Sequence, residues 1–268
     1  MRQDTTHAYR APLVAHRSLL IAAREAALCV AGYVGYSLLR SVVAGDQGTA
    51  SAHARQIIHL ERVLHLFQEP ALQRWALGVP GMARFWNGVY LWMHTPLVIF
   101  TLVYLYMRRR PTYVVIRNVF FISAAIGLLF YTFYPTAPPR LMPEYGFVDT
   151  IATVARNSPD VRPGAFENAY AAVPSLHVGW ALMIALAFWW TTRHWIVRAL
   201  AVIEVVGMIA AVTFTANHFF FDGAFGIAVV LTALAIVRAA QRWATKHGYT
   251  KGAAPASPTT VRQPPSSG

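Results

Sequence analysis

A few polar residues in two short stretches have the types and spacing to do chemistry. Val173-Pro174-Ser175-Leu176-His177 and Asn217-His218-Phe219-Phe220-Phe221-Asp222 both lie at the edges of long apolar runs. Polar side chains at the border of hydrocarbon cost free energy unless each is paired or faces a water-filled cavity. A helix opening at Pro174 would offer the backbone N–H groups of Ser175 and Leu176, and the positive end of its dipole, to an anion. His177, one turn in, can give a proton to a leaving oxygen. His218 and Asp222 stand four apart, on one helical face. A carboxylate holding one imidazole nitrogen leaves the other basic and aimed, as a nucleophilic histidine requires. Together these residues suggest phosphoryl transfer. Taken singly, each piece also fits a structural hydrogen bond in a membrane helix. A metal site is the other generic reading, but it needs three or four ligands where two histidines and one aspartate stand.

The elements that must position these residues are hydrophobic helices. The 268 residues are 56% hydrophobic and 13% charged, with a mean hydropathy of +0.41. That is too apolar for an ordinary soluble domain and fits an all-α, polytopic membrane protein. The net charge of +12 does not indicate nucleic acid, because the arginines flank apolar runs instead of forming a stripe. Cys29 is the only cysteine, so an intrachain disulfide and a cysteine-based metal site are excluded. The first apolar run begins late and lacks a small-residue cleavage site, so no cleavable signal peptide is expected.

Six spans are expected, at about 20–43, 85–107, 113–134, 173–192, 195–215 and 219–237, each of a length to cross a bilayer. Gly32 and Gly35 in the first would let another helix approach closely. Residues 1–18 read as a basic, loosely ordered cytoplasmic N-terminus, 19–243 as the membrane domain and 244–268 as a disordered cytoplasmic tail. Between the first two spans, Ile57, Ile58, Leu60, Val63, Leu64, Leu66 and Phe67 recur at helical spacing. Arg55, His59, Glu61, Arg62 and Glu69 interrupt them. An amphipathic helix lying in the interface is expected there, broken at Pro70 and followed by a short helix at about 72–77. A soluble cap is the competing reading. Arginines crowd the 108–117 and 193–198 connections and both chain ends, which places those on the cytoplasmic side of a cell membrane and the two polar stretches on the outer face. Asn87, Tyr90 and His94 fall on one face of the second span, where they would line a substrate cavity or bond to a neighbouring helix. Glu204, in the inner half of the fifth span, is expected to lie away from the chemistry and to be paired internally rather than catalytic.

Pro174-Ser175-x-His177, followed some forty residues later by His218-x-x-x-Asp222, resembles the second and third motifs of the type 2 phosphatidic acid phosphatase superfamily. The likeness extends to Tyr134-Pro135-Thr136-Ala137-Pro138-Pro139-Arg140 and to the six-span layout, over residues 50–240. The Pro-Ser-Leu-His and Ala-Pro-Pro-Arg versions look most like the inositol phosphorylceramide synthase branch. The resemblance implies that His218 is the nucleophile forming a phosphohistidine, oriented by Asp222. It implies that His177 protonates the departing alkoxide and then activates the acceptor. Arg140, Ser175 and nearby N–H groups, Leu176 among them, would bind phosphate, with no metal or other cofactor. The partners implied are a membrane phospholipid and a lipid or polyol alcohol acceptor. Two cations of the family pattern are missing: Phe133 stands where a Lys is usual and Val212 where an Arg is usual. A phosphomonoester is nearly dianionic and a diester singly charged, so a site short of cations favours a diester unless Arg84, Arg156 or Arg162 folds in.

Overall fold

The computed structural model describes residues 10–43, 45–157 and 168–248. Among these the secondary structure is helical, apart from one parallel bridge between Thr136 and Ala171. The order is α1 (Arg10–Val42), α2 (Gln47–Val63), α3 (Glu69–Leu77) and α4 (Met82–Gly88). A π-helical turn (Val89–Met93) continues α4 directly into α5 (His94–Arg108). Then come α6 (Arg110–Phe133), two 3-10 turns (Pro139–Leu141 and Pro143–Tyr145), α7 (Thr150–Asn157), α8 (Leu176–Thr191), α9 (Trp195–Phe214) and α10 (Phe220–Lys246).

Among the described residues five helices are long and apolar enough to cross a membrane: Leu19–Val42, Met82–Arg108, Arg110–Phe133, Trp195–Phe214 and Phe220–Lys246. The chain is a multi-pass helical membrane bundle. The remaining expected span is shorter than the rest. α8 has 16 residues, about 24 Å of helix against a hydrocarbon core of about 30 Å. Residues 168–175, which lead into it, are non-helical and turn-like. At the ends, α1 begins at Arg10 and α10 continues to Lys246. Residues 1–9 and 249–268 lie outside the described part.

α8 sits at the centre, packed on α6, α9 and α10. It is apolar on all sides, as a helix surrounded by protein should be. Met183 and Ile184 pack with Val115 and Val119 of α6 and Val230 and Ala233 of α10. In lipid, packing and close backbone approach hold helices together, since the surroundings are as apolar as the side chains. Gly179 and Gly226 provide that approach. A Cβ on Gly179 would lie 2.7 Å from the Gly226 carbonyl oxygen, and one on Gly226 would collide with the Ser175 carbonyl. The two polar stretches are therefore held at backbone contact. On α1, Gly32 admits Phe121 of α6, whereas Gly35 faces open space. An ion pair from Glu25 to Arg117, 2.6 Å, ties the same two helices nearer their other end.

The amphipathic segment forms, but its break comes earlier than expected. α2 ends at Val63 and the chain turns through residues 64–68, with His65 in the left-handed region at φ 57°. Pro70 begins α3, where a missing N–H costs nothing. The apolar residues of α2 and the turn after it divide between two sides. Ile57 and Ile58 pack inward with Met142, Phe147, Val173 and Phe219, while Leu60, Val63, Leu64 and Leu66 are exposed.

Candidate active site

The turn between α9 and α10 carries His218. Ala216 is left-handed at φ 54°, a strained position for a residue with a Cβ. It lets the N–H groups of Asn217 and His218 both reach the Val212 carbonyl, at 2.8 and 3.3 Å. His218 is buried. Its Nδ1 lies 2.9 Å from the Ala172 carbonyl, which can only accept, so Nδ1 carries the proton and Nε2 keeps its lone pair. Asp222 Oδ2 is 3.4 Å from the same Nδ1 and accepts the Phe219 N–H at 2.9 Å. The carboxylate thus caps α10 as well as facing the imidazole, and the Ala172 carbonyl is the nearer partner of Nδ1. Burial pushes the His218 imidazole down to about 3. The Ala172 bond opposes that shift, and the charges of Arg40 and Arg140 add to it. A neutral imidazole at ordinary pH is the form that can attack phosphorus.

The opposing stretch opens α8. Ser175 is the N-cap residue and Pro174 precedes it, so the proline lies outside the first turn. The Val173–Pro174 peptide is cis, and the Pro174 carbonyl accepts from the Tyr131 hydroxyl at 3.0 Å. The Ser175 N–H is not open to an anion, because it donates to the Asp222 carbonyl at 2.9 Å. Its buried Oγ has no hydrogen-bond partner among the described residues. The start of the helix leaves the N–H groups of Leu176 and His177 without acceptors inside the helix. Leu176 is packed against Gly127 of α6. The His177 ring centre lies 6.0 Å from that of His218 and 4.4 Å from that of Tyr90.

Arg140 stands on the first 3-10 turn. Its backbone N–H donates to the Ala216 carbonyl at 2.8 Å, its Nε to Asn217 Oδ1 at 3.1 Å, and its Nη1 to Asp149 Oδ2 at 3.1 Å. It is fixed beside the His218 turn and its charge is shared with Asp149. The two positions lacking the usual cations do not face this site. Phe133 is 79% exposed on the outside of α6, and Val212 is buried in an apolar cluster with Val178 and Met208. A guanidinium enters from an element that local motifs do not mark. Arg40, in the last turn of α1, lines the same cavity as His177 and His218, 5.9 Å from the Tyr131 ring centre. Arg84 lines a different groove, with Phe85 and Gly88. Arg162 and the side chain of Arg156 lie outside the described part.

That cavity has a volume of about 560 Å³ and runs between α1, α5, α6 and α8. His177, His218 and Arg40 lie at one end, Glu25 and Arg117 at the other, and Val98, Leu102 and Phe120 between them. Of the three residues expected on its wall, Tyr90 and His94 approach His177, at 4.4 and 5.2 Å between ring centres. Asn87 does not join them. Its amide donates to Ala83 and its oxygen faces the Thr150 hydroxyl at 3.4 Å. The π-helical turn between Asn87 and His94 changes the register, so spacing counted on an ideal α-helix misplaces one of the three. Glu204 is not remote either. Its Oε1 lies 3.5 Å from His94 Nδ1.

Glu61 and Glu69, read in sequence as interruptions of an apolar pattern, are both buried and grip α10. Glu61 accepts the Phe221 N–H at 2.7 Å and Glu69 the Phe220 N–H at 2.9 Å. With Asp222 they take three successive N–H groups at the positive end of the helix. Burial, then the charge of Glu69, raises the Glu61 carboxyl to about 9. The folded state therefore holds a proton that an unfolded chain releases near the ordinary Glu value of about 4.3. The stability this contributes is complete below that value and is lost as pH rises toward 9. The melting temperature should fall between pH 6 and 9, and Glu61→Gln should flatten the fall. An equal slope in the two proteins would contradict this.

Residues 55–236 match the family model described as PAP2 superfamily. A phosphoinositol dihydroceramide synthase of Bacteroides thetaiotaomicron is 27% identical over 177 residues, which cover 60% of this chain and 56% of the relative. The chain thus spans little more than half the relative's length. No solved structure matches. The family match takes in both polar stretches, Arg140, α6, α8 and α9 and the first part of α10, and covers well over half of the sequence: the chain belongs to the PAP2 superfamily.

Proposed function

We propose that the protein is a membrane lipid phosphotransferase that moves an inositol-phosphate-like head group between lipids through a phosphohistidine. The observation that carries this is the convergence of His177, His218 and Arg40 at one end of an otherwise mainly apolar cavity of lipid-accepting size. The dihydroceramide in the relative's name supports a lipid alcohol as acceptor. In the first step His218 Nε2 attacks phosphorus, the bond to the lipid oxygen breaks, and His177 gives that oxygen its proton. In the second, His177 takes the proton of an acceptor hydroxyl, whose oxygen displaces the imidazole. Asp222 and the Ala172 carbonyl hold Nδ1–H throughout. Arg40, Arg140, the Ser175 hydroxyl and the N–H groups of Leu176 and His177 hold the phosphate oxygens. These fixed charges and dipoles supply the electrostatic stabilisation, and the scheme uses no metal.

Arg40 restores one of the two missing cations and leaves the site one short of the family pattern, which favours a singly charged diester. The purified protein is expected to show a higher kcat/KM for phosphatidylinositol than for phosphatidic acid. A preference for phosphatidic acid or an isoprenoid monophosphate would make it a lipid monoester phosphatase instead. The arginine-rich connections, together with six crossings, favour a site on the extracytoplasmic face and both termini in the cytoplasm. A cysteine placed at Asp160 should react with a membrane-impermeant thiol reagent in intact cells, and one at Arg109 should not. The reverse labelling would invert the orientation.

A further inference from the structure

The cavity holds a third imidazole, buried, that the two-step scheme leaves unused. His94, at the start of α5, is 3% exposed and lines the cavity with its ring centre 5.2 Å from that of His177. Its ring is parallel to the Trp180 indole, at 6.4 Å and 4° between planes, and Trp180 Nε1 donates to the Ser123 hydroxyl at 3.0 Å. Glu204 Oε1 approaches His94 Nδ1 to 3.5 Å. Neither ring nitrogen, and neither Glu204 oxygen, has a hydrogen-bond partner among the described residues. Burying an imidazole and a carboxyl group with only this 3.5 Å approach between them, and no hydrogen bond, is costly, and apolar residues of similar size would pack there without that cost. A carboxylate beside Nδ1 favours the tautomer protonated there, which makes Nε2 an acceptor waiting for a donor.

The proposed transfer indicates what brings that donor. A lipid alcohol that leaves from or attacks phosphorus must set its oxygen at His177. The group next to that oxygen then lies within one ring's reach of His94. Resting on the transferase reading, we propose that His94, backed by Glu204, is a specificity-determining residue that accepts a hydrogen bond from an amide N–H or second hydroxyl beside the reacting hydroxyl of the lipid acceptor. A ceramide offers both groups. A diacylglycerol has only ester oxygens there and offers no donor. A site built around such a bond discriminates strongly against an analogue that lacks it, because its own polar group is then left unmet.

The test uses the 268-residue chain in detergent, phosphatidylinositol labelled in its inositol, and either ceramide or a diacylglycerol with acyl chains unlike the donor's. Products are separated by mass. Wild type should favour ceramide, and His94→Ala should lower the ceramide-to-diacylglycerol ratio of kcat/KM by about tenfold or more. Glu204→Gln should lower it less. His94→Gln, whose carboxamide oxygen can still accept, should recover part of the ratio. Loss of folded enzyme reduces both acceptors alike and leaves the ratio where it was. An unchanged ratio in His94→Ala, with transfer still measurable, overturns the role of His94 and leaves the transferase reading standing. No transfer or head-group release by wild type with either acceptor overturns that reading, and the role of His94 falls with it.

Discussion

Replacing His218 with alanine should abolish turnover, with a loss of roughly four orders of magnitude or more, the scale seen when a covalent nucleophile is removed. The protein should still fold and insert. The turn that carries His218 is held mainly by backbone bonds, from Asn217 and His218 to Val212 and from Arg140 to Ala216. The α10 N-terminus is capped independently by Glu61, Glu69 and Asp222. The side chain itself contributes one hydrogen bond, to the Ala172 carbonyl, and the 3.4 Å contact with Asp222. Wild-type-like head-group release from His218→Ala, measured on protein that elutes as wild type does, would remove the phosphohistidine step.

Arg40→Ala should lower kcat/KM by roughly a hundredfold to a thousandfold, the scale for losing one preorganised charge at a developing transition state. The reason lies in the count of cations. Arg140 shares its charge with Asp149, Phe133 faces outward and Val212 is packed among apolar side chains. Among the described residues, Arg40 lines the cavity at the end of the histidines, while Arg117 lines its other end. Arg40→Lys should keep part of the rate, since charge is retained while the planar fork is lost. Arg84→Ala, in its separate groove, is the matched control and should behave as wild type. A loss of less than about threefold in Arg40→Ala, well below the effect of a single catalytic donor, would take Arg40 out of the phosphate site.

How much of this was legible in the sequence follows from how far each relation reaches along the chain. Helices and spans were legible because apolar runs of bilayer length are a local signal. The grouping of His177 with His218 came from motif spacing. Tertiary pairings were not legible. Arg40 lies far along the sequence from the histidines, and nothing in α1 marks it out from the other arginines that flank apolar runs. Glu61 and Glu69 looked like polar interruptions of an amphipathic helix. Only the docking of α2 and α3 on the N-terminus of α10 makes them caps. Glu204 was legible as an internally paired residue, but its partner was not, because His94 reaches it from another helix. Asn87 was grouped with Tyr90 and His94 on an α-helical count that the π-turn at Val89–Met93 breaks. Pro70 reads as a helix breaker in both settings. Whether it ends one helix or starts the next depended on the left-handed turn at His65.

The central claim is a covalent bond between phosphorus and His218, and trapping that bond is its most direct test. His177→Ala should form the intermediate from a phosphodiester whose leaving group needs no proton, such as a nitrophenyl ester labelled at phosphorus, and should then stall for want of a base to activate the acceptor. After rapid quenching and digestion at alkaline pH, the label should sit on the peptide containing His218 and be lost in mild acid, as a phosphoramidate is. It should be absent from the His177→Ala/His218→Ala double variant. Label on another residue, or release of the leaving group with no labelled protein at any time, would contradict the account.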